Sequence, residues 1–299
     1  MLETNRLIRK LAIENKKLRP LSDDDIRAVQ GILLEMMSDF DRLCRKHNLR
    51  YFLCGGTALG AVRHKGFIPW DEDVDIAMPR KDYNRLADVL LEEYGERYWL
   101  QSIDRIPIYD LPFMKMRKIG TRFLEIFEPD PDHAGIFIDI YPLENIPDSA
   151  VLRFFHGTIS DFLQLCCSCV RMNLKKDRYF TYFYDSKALK IVKIKALLGK
   201  ILSIIPLHNW CIAADRWASK CKNEQTMFVS FPGGRKHYFC VMFRRDTLVP
   251  LQEAPFEDRS FLIPADPDGH LSALYSNYME IPPADQRERH TILELNLGE

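Results

Sequence analysis

Two stretches decide the fold: Tyr51-Phe52-Leu53-Cys54-Gly55-Gly56-Thr57 and, a short connection later, Pro69-Trp70-Asp71-Glu72-Asp73-Val74-Asp75-Ile76. Tyr51 to Cys54 predicts a short buried strand and Thr57 to Arg63 the start of a helix. Gly55 and Gly56 then fall at a strand-to-helix turn, where backbone amides can face an anion or the glycines simply allow a tight bend. An extended chain beginning by Trp70 would project Asp71, Asp73 and Asp75 from one face while Val74 and Ile76 enter the core. Carboxylates ~4 Å apart repel by roughly 4 kcal/mol per pair at an effective dielectric of about 20. A divalent cation offsets that repulsion. Hard oxygen ligands suit magnesium or manganese, and magnesium commonly shares its shell with substrate phosphate.

A second acidic position lies further along. Gly135-Ile136-Phe137-Ile138-Asp139-Ile140-Tyr141-Pro142 is apolar apart from one carboxylate, and its length and β-branched content predict a strand. Asp139 either joins the acidic site or pairs with an arginine or a turn, because buried carboxylates need a partner. Between the two acidic stretches, Leu111 to Phe127 alternates apolar residues with Lys115, Arg117 and Arg122, which predicts a hairpin beside the site. Its cations are either solvated strand residues or phosphate contacts.

The chain has 299 residues, 46% of them hydrophobic, enough for one large domain or one domain with an elaboration. Lysine plus arginine and aspartate plus glutamate number 42 each, and this neutrality argues against a nucleic-acid partner. Met1 to Leu21 is charged and has no apolar centre, so neither a signal peptide nor an anchor is expected there, and the expected location is cytoplasmic. Of the eight cysteines, Cys166, Cys167 and Cys169 crowd one apolar segment; buried free thiols explain them better than disulfides or zinc.

Ser22 with Asp23, Asp24 and Asp25 predicts a helix start, and Ile26, Val29, Leu33, Met36, Phe40 and Leu43 continue at helical spacing. A second helix is expected from Lys81 to Tyr94 and a last one near Leu271 to Met279, with loops at 231–234 and between Pro250 and Gly269. The expected organisation is a catalytic core at 1–150, a helical insertion at 151–225, and a segment at 226–299 completing the catalytic domain and its acceptor side. Lys187 to Ile205 is basic and amphipathic. Packing of its apolar stripe (Ile191, Ile194, Leu198, Ile201, Leu202, Ile205) on the core is favoured over peripheral membrane contact.

A glycine turn, a strand with Asp-x-Asp and a later strand with one carboxylate resemble the nucleotidyltransferase fold of polymerase-β-like enzymes. The string from Gly56 through Gly60-Ala61-Val62-Arg63-His64-Lys65-Gly66 to Asp75 resembles the LicD family more specifically. Phe113, Lys115, Arg117, Thr121, Ile138-Asp139-Ile140-Tyr141-Pro142-Leu143, Pro255-Phe256-Glu257, Tyr275, Tyr278-Met279 and His290 extend the likeness over most of the chain. Asp258 and Ser276-Asn277 depart from the family pattern and bear on substrate identity more than on chemistry.

The resemblance implies an α+β fold with a nucleotidyltransferase-like mixed sheet, flanking helices and a helical insertion. It also implies a metal-dependent phosphotransferase that moves phosphocholine, or a related alcohol phosphate, from a CDP-alcohol, CDP-choline first, to a glycan or lipid-linked glycan hydroxyl, with release of CMP. In that picture Asp71, Asp73, Asp75 and Asp139 hold Mg2+ or Mn2+, with Asp73, Asp75 and Asp139 catalytic. Gly55, Gly56, Thr57, Arg63, Lys115, Arg117 and Glu257 bind substrate. Contact with the inner face of the membrane is a further expectation. Tyr and Trp residues are candidates for a quaternary-ammonium cage, and the sequence does not place Trp99, Trp210 or Trp217 beside the site. Two alternatives stay open: a nucleotidyltransferase releasing pyrophosphate, and a non-catalytic membrane-associated scaffold.

Overall fold

The computed structural model describes residues 21–182, 186–234, 236–287 and 292–298; His290 and most of Met1 to Leu21 lie outside them. The first helix among the described residues, α1 (Asp23–His47), starts where Ser22 and Asp25 form a reciprocal capping box and ends at Asn48 in the left-handed region (φ 52°). Ile26, Val29, Leu33, Met36, Phe40 and Leu43 are all buried, as their spacing predicts. Strand β1 (Phe52–Leu53) leads into α2 (Gly55–Leu59), which continues as a π-helical turn over Gly60–His64. Strand β2 (Asp75–Pro79) runs directly into α3 (Arg80–Tyr94).

Strands β3 (Tyr98–Gln101), β4 (Met114–Lys118), β5 (Arg122–Glu125) and β6 (Phe137–Ile146) follow. The main sheet has the order β1-β2-β6-β4-β3, with β2 and β6 parallel and the other pairs antiparallel. This is a mixed sheet with flanking helices, an α+β fold as expected. The hairpin expected over Leu111 to Phe127 does not form. β4 is almost wholly buried and lies between β6 and β3, whereas β5 pairs with the C-terminal strand β11 (Ile292–Asn296). A strand buried on both faces is driven to an interior position, and the Gly120 turn (φ 84°) sends the chain away from it.

Helices α4 (Ala150–Leu174), α5 (Lys176–Tyr182), α6 (Ser186–Leu202) and α7 (Leu207–Ala218) occupy the stretch read as a helical insertion. The chain then returns to the sheet. β7 (Phe228–Ser230) pairs with the far end of β6, and β8 (Met242–Arg244) pairs with β7. Arg80, 8% exposed at the start of α3, joins the two parts: it donates to Glu144 on β6 and to Asp215 on α7 (2.8 Å). The loop expected between Pro250 and Gly269 contains a hairpin, β9 (Gln252–Phe256) and β10 (Arg259–Ile263), before the helix Pro267–Tyr275. Pro255 sits in this two-stranded edge, where a missing N–H is tolerated. All eight cysteines are free, and all but Cys221 and Cys240 are buried.

Candidate active site

The acidic stretch is not a strand from Trp70. Residues 71–74 run as a loop, and only Asp75 enters β2. The reason is local: the Asp71 amide closes a turn on the Ile68 carbonyl (2.9 Å), and the Gln30 side-chain amide donates to the Ile68 and Asp71 carbonyls (3.1 and 2.7 Å). The loop therefore belongs to α1 as much as to β2. Val74 and Ile76 are buried as expected.

From Asp75 onward the sheet register organises the site. Asp75 on β2 lies opposite Asp139 on β6, Asp139 opposite Lys115 on β4, and Lys115 opposite Gln101 on β3. Residues in such a row share a face, so two carboxylates and an ammonium group line one side of the sheet. Lys115 reaches Asp139 Oδ1 at 3.1 Å and Glu125 Oε2 at 3.2 Å, and its Nζ stands 3.2 Å from the Phe137 ring centroid. Burial pushes the Asp139 carboxyl up to about 6; Lys115 opposes this, while Glu125 and Asp73 add to it.

Gly55 and Gly56 take a different part from the one their position suggests. A Cβ on Gly55 would stand 2.6 Å from Asp75 Oδ2, and one on Gly56 2.9 Å from Asp71 Oδ2. The two glycines leave room for the carboxylates. Gly55 also adopts φ +54°, a conformation costly for other L-residues. Thr57 completes the turn by accepting the Asp75 amide at its hydroxyl (2.8 Å). Gly55→Ala is expected to lose activity by at least tenfold and stability by about 1–2 kcal/mol, whereas Gly56→Ala, without the positive φ, should displace Asp71 with a smaller loss of stability. Thermal melting beside a transfer assay separates the two effects.

Three electrostatic effects place Asp73 and its neighbours in one region. The Cys54 thiol is pushed up by burial and then by Asp75, Asp139 and Asp73; the Tyr141 phenol is pushed up by burial, then chiefly by Asp75 and Asp139. The Tyr275 hydroxyl end is enclosed and feels Asp75, Asp71 and Asp73, although 44% of the residue surface stays exposed. The donors are hard oxygens and suit magnesium or manganese. As the side chains stand, however, no group of three or more His, Cys, Asp or Glu among the described residues is arranged to hold an ion. The carboxyl groups must turn toward one another before they can share one.

Other sequence-predicted residues take structural places. Arg117, 1% exposed, donates to Gln101 Oε1 (2.6 Å), the Gly135 carbonyl (2.7 Å) and Glu128, so its guanidinium is engaged within the fold. Arg63 donates to the Tyr278 and Glu280 carbonyls (2.6 and 3.1 Å) and fastens the C-terminal segment to the π-helical turn. Glu257 accepts the Phe67 amide (2.9 Å) and lies against Gly66, bracing the loop before the acidic stretch.

The tryptophans form no cage. Trp99 stacks on His133, while Trp210 and Trp217 donate to the Leu202 and His156 carbonyls. Aromatic residues near the carboxylates include Tyr275, Tyr141 and Tyr109, and Phe113 packs on Tyr141 with ring centroids 4.5 Å apart. Strand alternation could have found Tyr141, two residues past Asp139 on the same face. Nothing local marks Tyr275 as a neighbour of the site.

The sequence is similar to known proteins. Residues 48–151 match the family model described as LicD/FKTN/FKRP, nucleotidyltransferase domain. The chain is 26% identical over 273 residues to the lipopolysaccharide cholinephosphotransferase LicD of Haemophilus influenzae, covering 90% of this chain and 97% of that one. An uncharacterised protein of Rickettsia prowazekii is 30% identical over 120 residues, 38% of this chain and 45% of that one.

Proposed function

We propose, for a chain that belongs to the LicD family, that it is a LicD-like transferase moving phosphocholine from CDP-choline to a hydroxyl of a lipopolysaccharide-type glycan, releasing CMP. The observation that carries the reading is the row Asp75, Asp139 and Lys115 on one sheet face, with the Asp75 and Asp71 carboxylates seated over paired glycines. Phosphoryl transfer is mainly positioning and charge stabilisation, and this face offers both.

Asp71, Asp73, Asp75 and Asp139 would hold magnesium or manganese, which when bound neutralises charge on the donor diphosphate. Lys115 adds a fixed positive centre on the same face and keeps Asp139 in place. Asp139, enclosed on that face beside Lys115, accepts the proton of the acceptor hydroxyl. The hydroxyl oxygen bonds to the choline-bearing phosphorus, the bond between the two donor phosphates breaks, and CMP leaves with that electron pair. Phe113 and Tyr141 supply aromatic faces for the cytosine ring or the trimethylammonium group.

A second reading is favoured by the description of the matched domain: cytidylyl transfer from CTP to a phosphorylated small molecule, releasing pyrophosphate. One assay separates them. The protein is incubated with magnesium, a glycan acceptor, and either CDP-choline or CTP plus phosphocholine. Acceptor-dependent CMP is the expected product; pyrophosphate formed only from CTP would replace the first reading with the second. Absence of turnover with either donor would favour a scaffold.

A further inference from the structure

The stripe on α6 does not pack on the core. Val192, Ala196 and Gly199 face inward, with Gly199 seated against the Cys169 carbonyl of α4, so the helix packs through its small side. Ile191, Ile194, Leu198, Ile201 and Ile205 face outward, with exposures from 43% to 63%. The preceding half of α4 is alike: Val151, Phe155 and Phe162 are each more than half exposed along one side. An outward apolar face on two neighbouring helices needs a partner, because monomers rarely leave so much open.

Charge identifies the partner. Residues 186–205 contain five lysines (187, 190, 193, 195 and 200) and no aspartate or glutamate, in a chain whose total charge is zero. Lys190, Lys193 and Lys200 are exposed, and no carboxylate pairs with them among the described residues. We propose that the outer face of α6 and the first half of α4 is a docking surface for an anionic lipid bilayer, with Ile194, Leu198, Phe155 and Phe162 entering the interface and Lys190, beside the stripe, and Lys193, on its flank, reaching lipid phosphates. A second copy of the chain fits less well, since self-association would bring like-charged lysines together. No helix among the described residues is long and apolar enough to cross a membrane, so contact is peripheral. This inference does not depend on the transfer reaction.

The test is vesicle flotation of the full chain with phosphatidylcholine alone and with one third phosphatidylglycerol, at low and high salt. Binding to the anionic vesicles, weakened by salt, is expected. Ile194→Asp with Leu198→Asp should lose binding by about tenfold or more while melting like the parent, because both side chains are already in water. Lys190→Glu with Lys193→Glu should remove the preference for anionic lipid. The proposal is overturned if the parent stays off both vesicle types, or if either double variant binds as the parent does. It is also overturned if the parent is a dimer that ignores vesicles and the apolar-face variant is a monomer, which would assign the face to a second copy.

Discussion

Asp75→Asn is expected to slow transfer by about a thousandfold, roughly 4 kcal/mol of barrier, and to leave the protein folded. The substitution keeps the shape of the side chain, and the main-chain bonds that fix β2 remain: the Asp75 amide to Thr57 and the Asp75 carbonyl to the Cys54 amide. What is lost is the charge over Gly55. Steady-state rates at saturating magnesium, read beside a melting curve, test this; near-parental activity would falsify the assignment of Asp75 to the reaction. Asp73→Asn should behave alike, but its loop position gives it less fixed geometry.

Arg117→Met should cost about 3–5 kcal/mol of stability, seen as a fall in Tm, because it leaves Glu128 buried without its charge partner. Burial already pushes the Glu128 carboxyl up, and Arg117 is the first group that opposes this. A variant with unchanged Tm and a raised KM for the donor would return Arg117 to the binding role its place in the sequence suggests. Lys115→Met is the contrasting substitution. Lys115 is also buried and pairs with Asp139 and Glu125, so its loss should lower Tm as well, but kcat of the folded fraction should fall too, which Arg117→Met should not cause.

The parts legible in the sequence were those with a local cause. Ser22 and Asp25 cap α1 through contacts three residues apart, and α1 buries the residues its period selects. Asp139 could be read as a strand carboxylate because apolar residues enclose it on both sides in the chain. The acidic stretch departs from the extended form its sequence predicts because Gln30, far away on α1, holds residues 68 to 71 in a turn that periodicity cannot register. The partners of Arg117 and Glu257 are invisible to sequence for the same reason. The sequence shows a charge beside a motif, but Glu128, Gln101 and the Phe67 amide, which occupy those charges, come from other elements. The α6 stripe lies where its period puts it but faces away from the core: a helix with Val192, Ala196 and Gly199 on one side turns its small residues inward and its large ones out.

The bridge from Arg80 to Glu144 and Asp215 bears on how this chain can be cut. Residues 150–218 begin and end next to strands that pair with each other, Glu144 standing opposite Ser230, so on paper they could be excised and the ends rejoined. Excision would remove Asp215, strip one partner from an enclosed guanidinium, and open the side chains that α7 covers, among them Tyr109 and Ile103. A shortened core made this way should be insoluble, while a chain keeping all the helices but carrying an altered α6 surface should not. The Arg80 bridge and the packing under α7 therefore tie residues 150–218 to the sheet on which the chain closes.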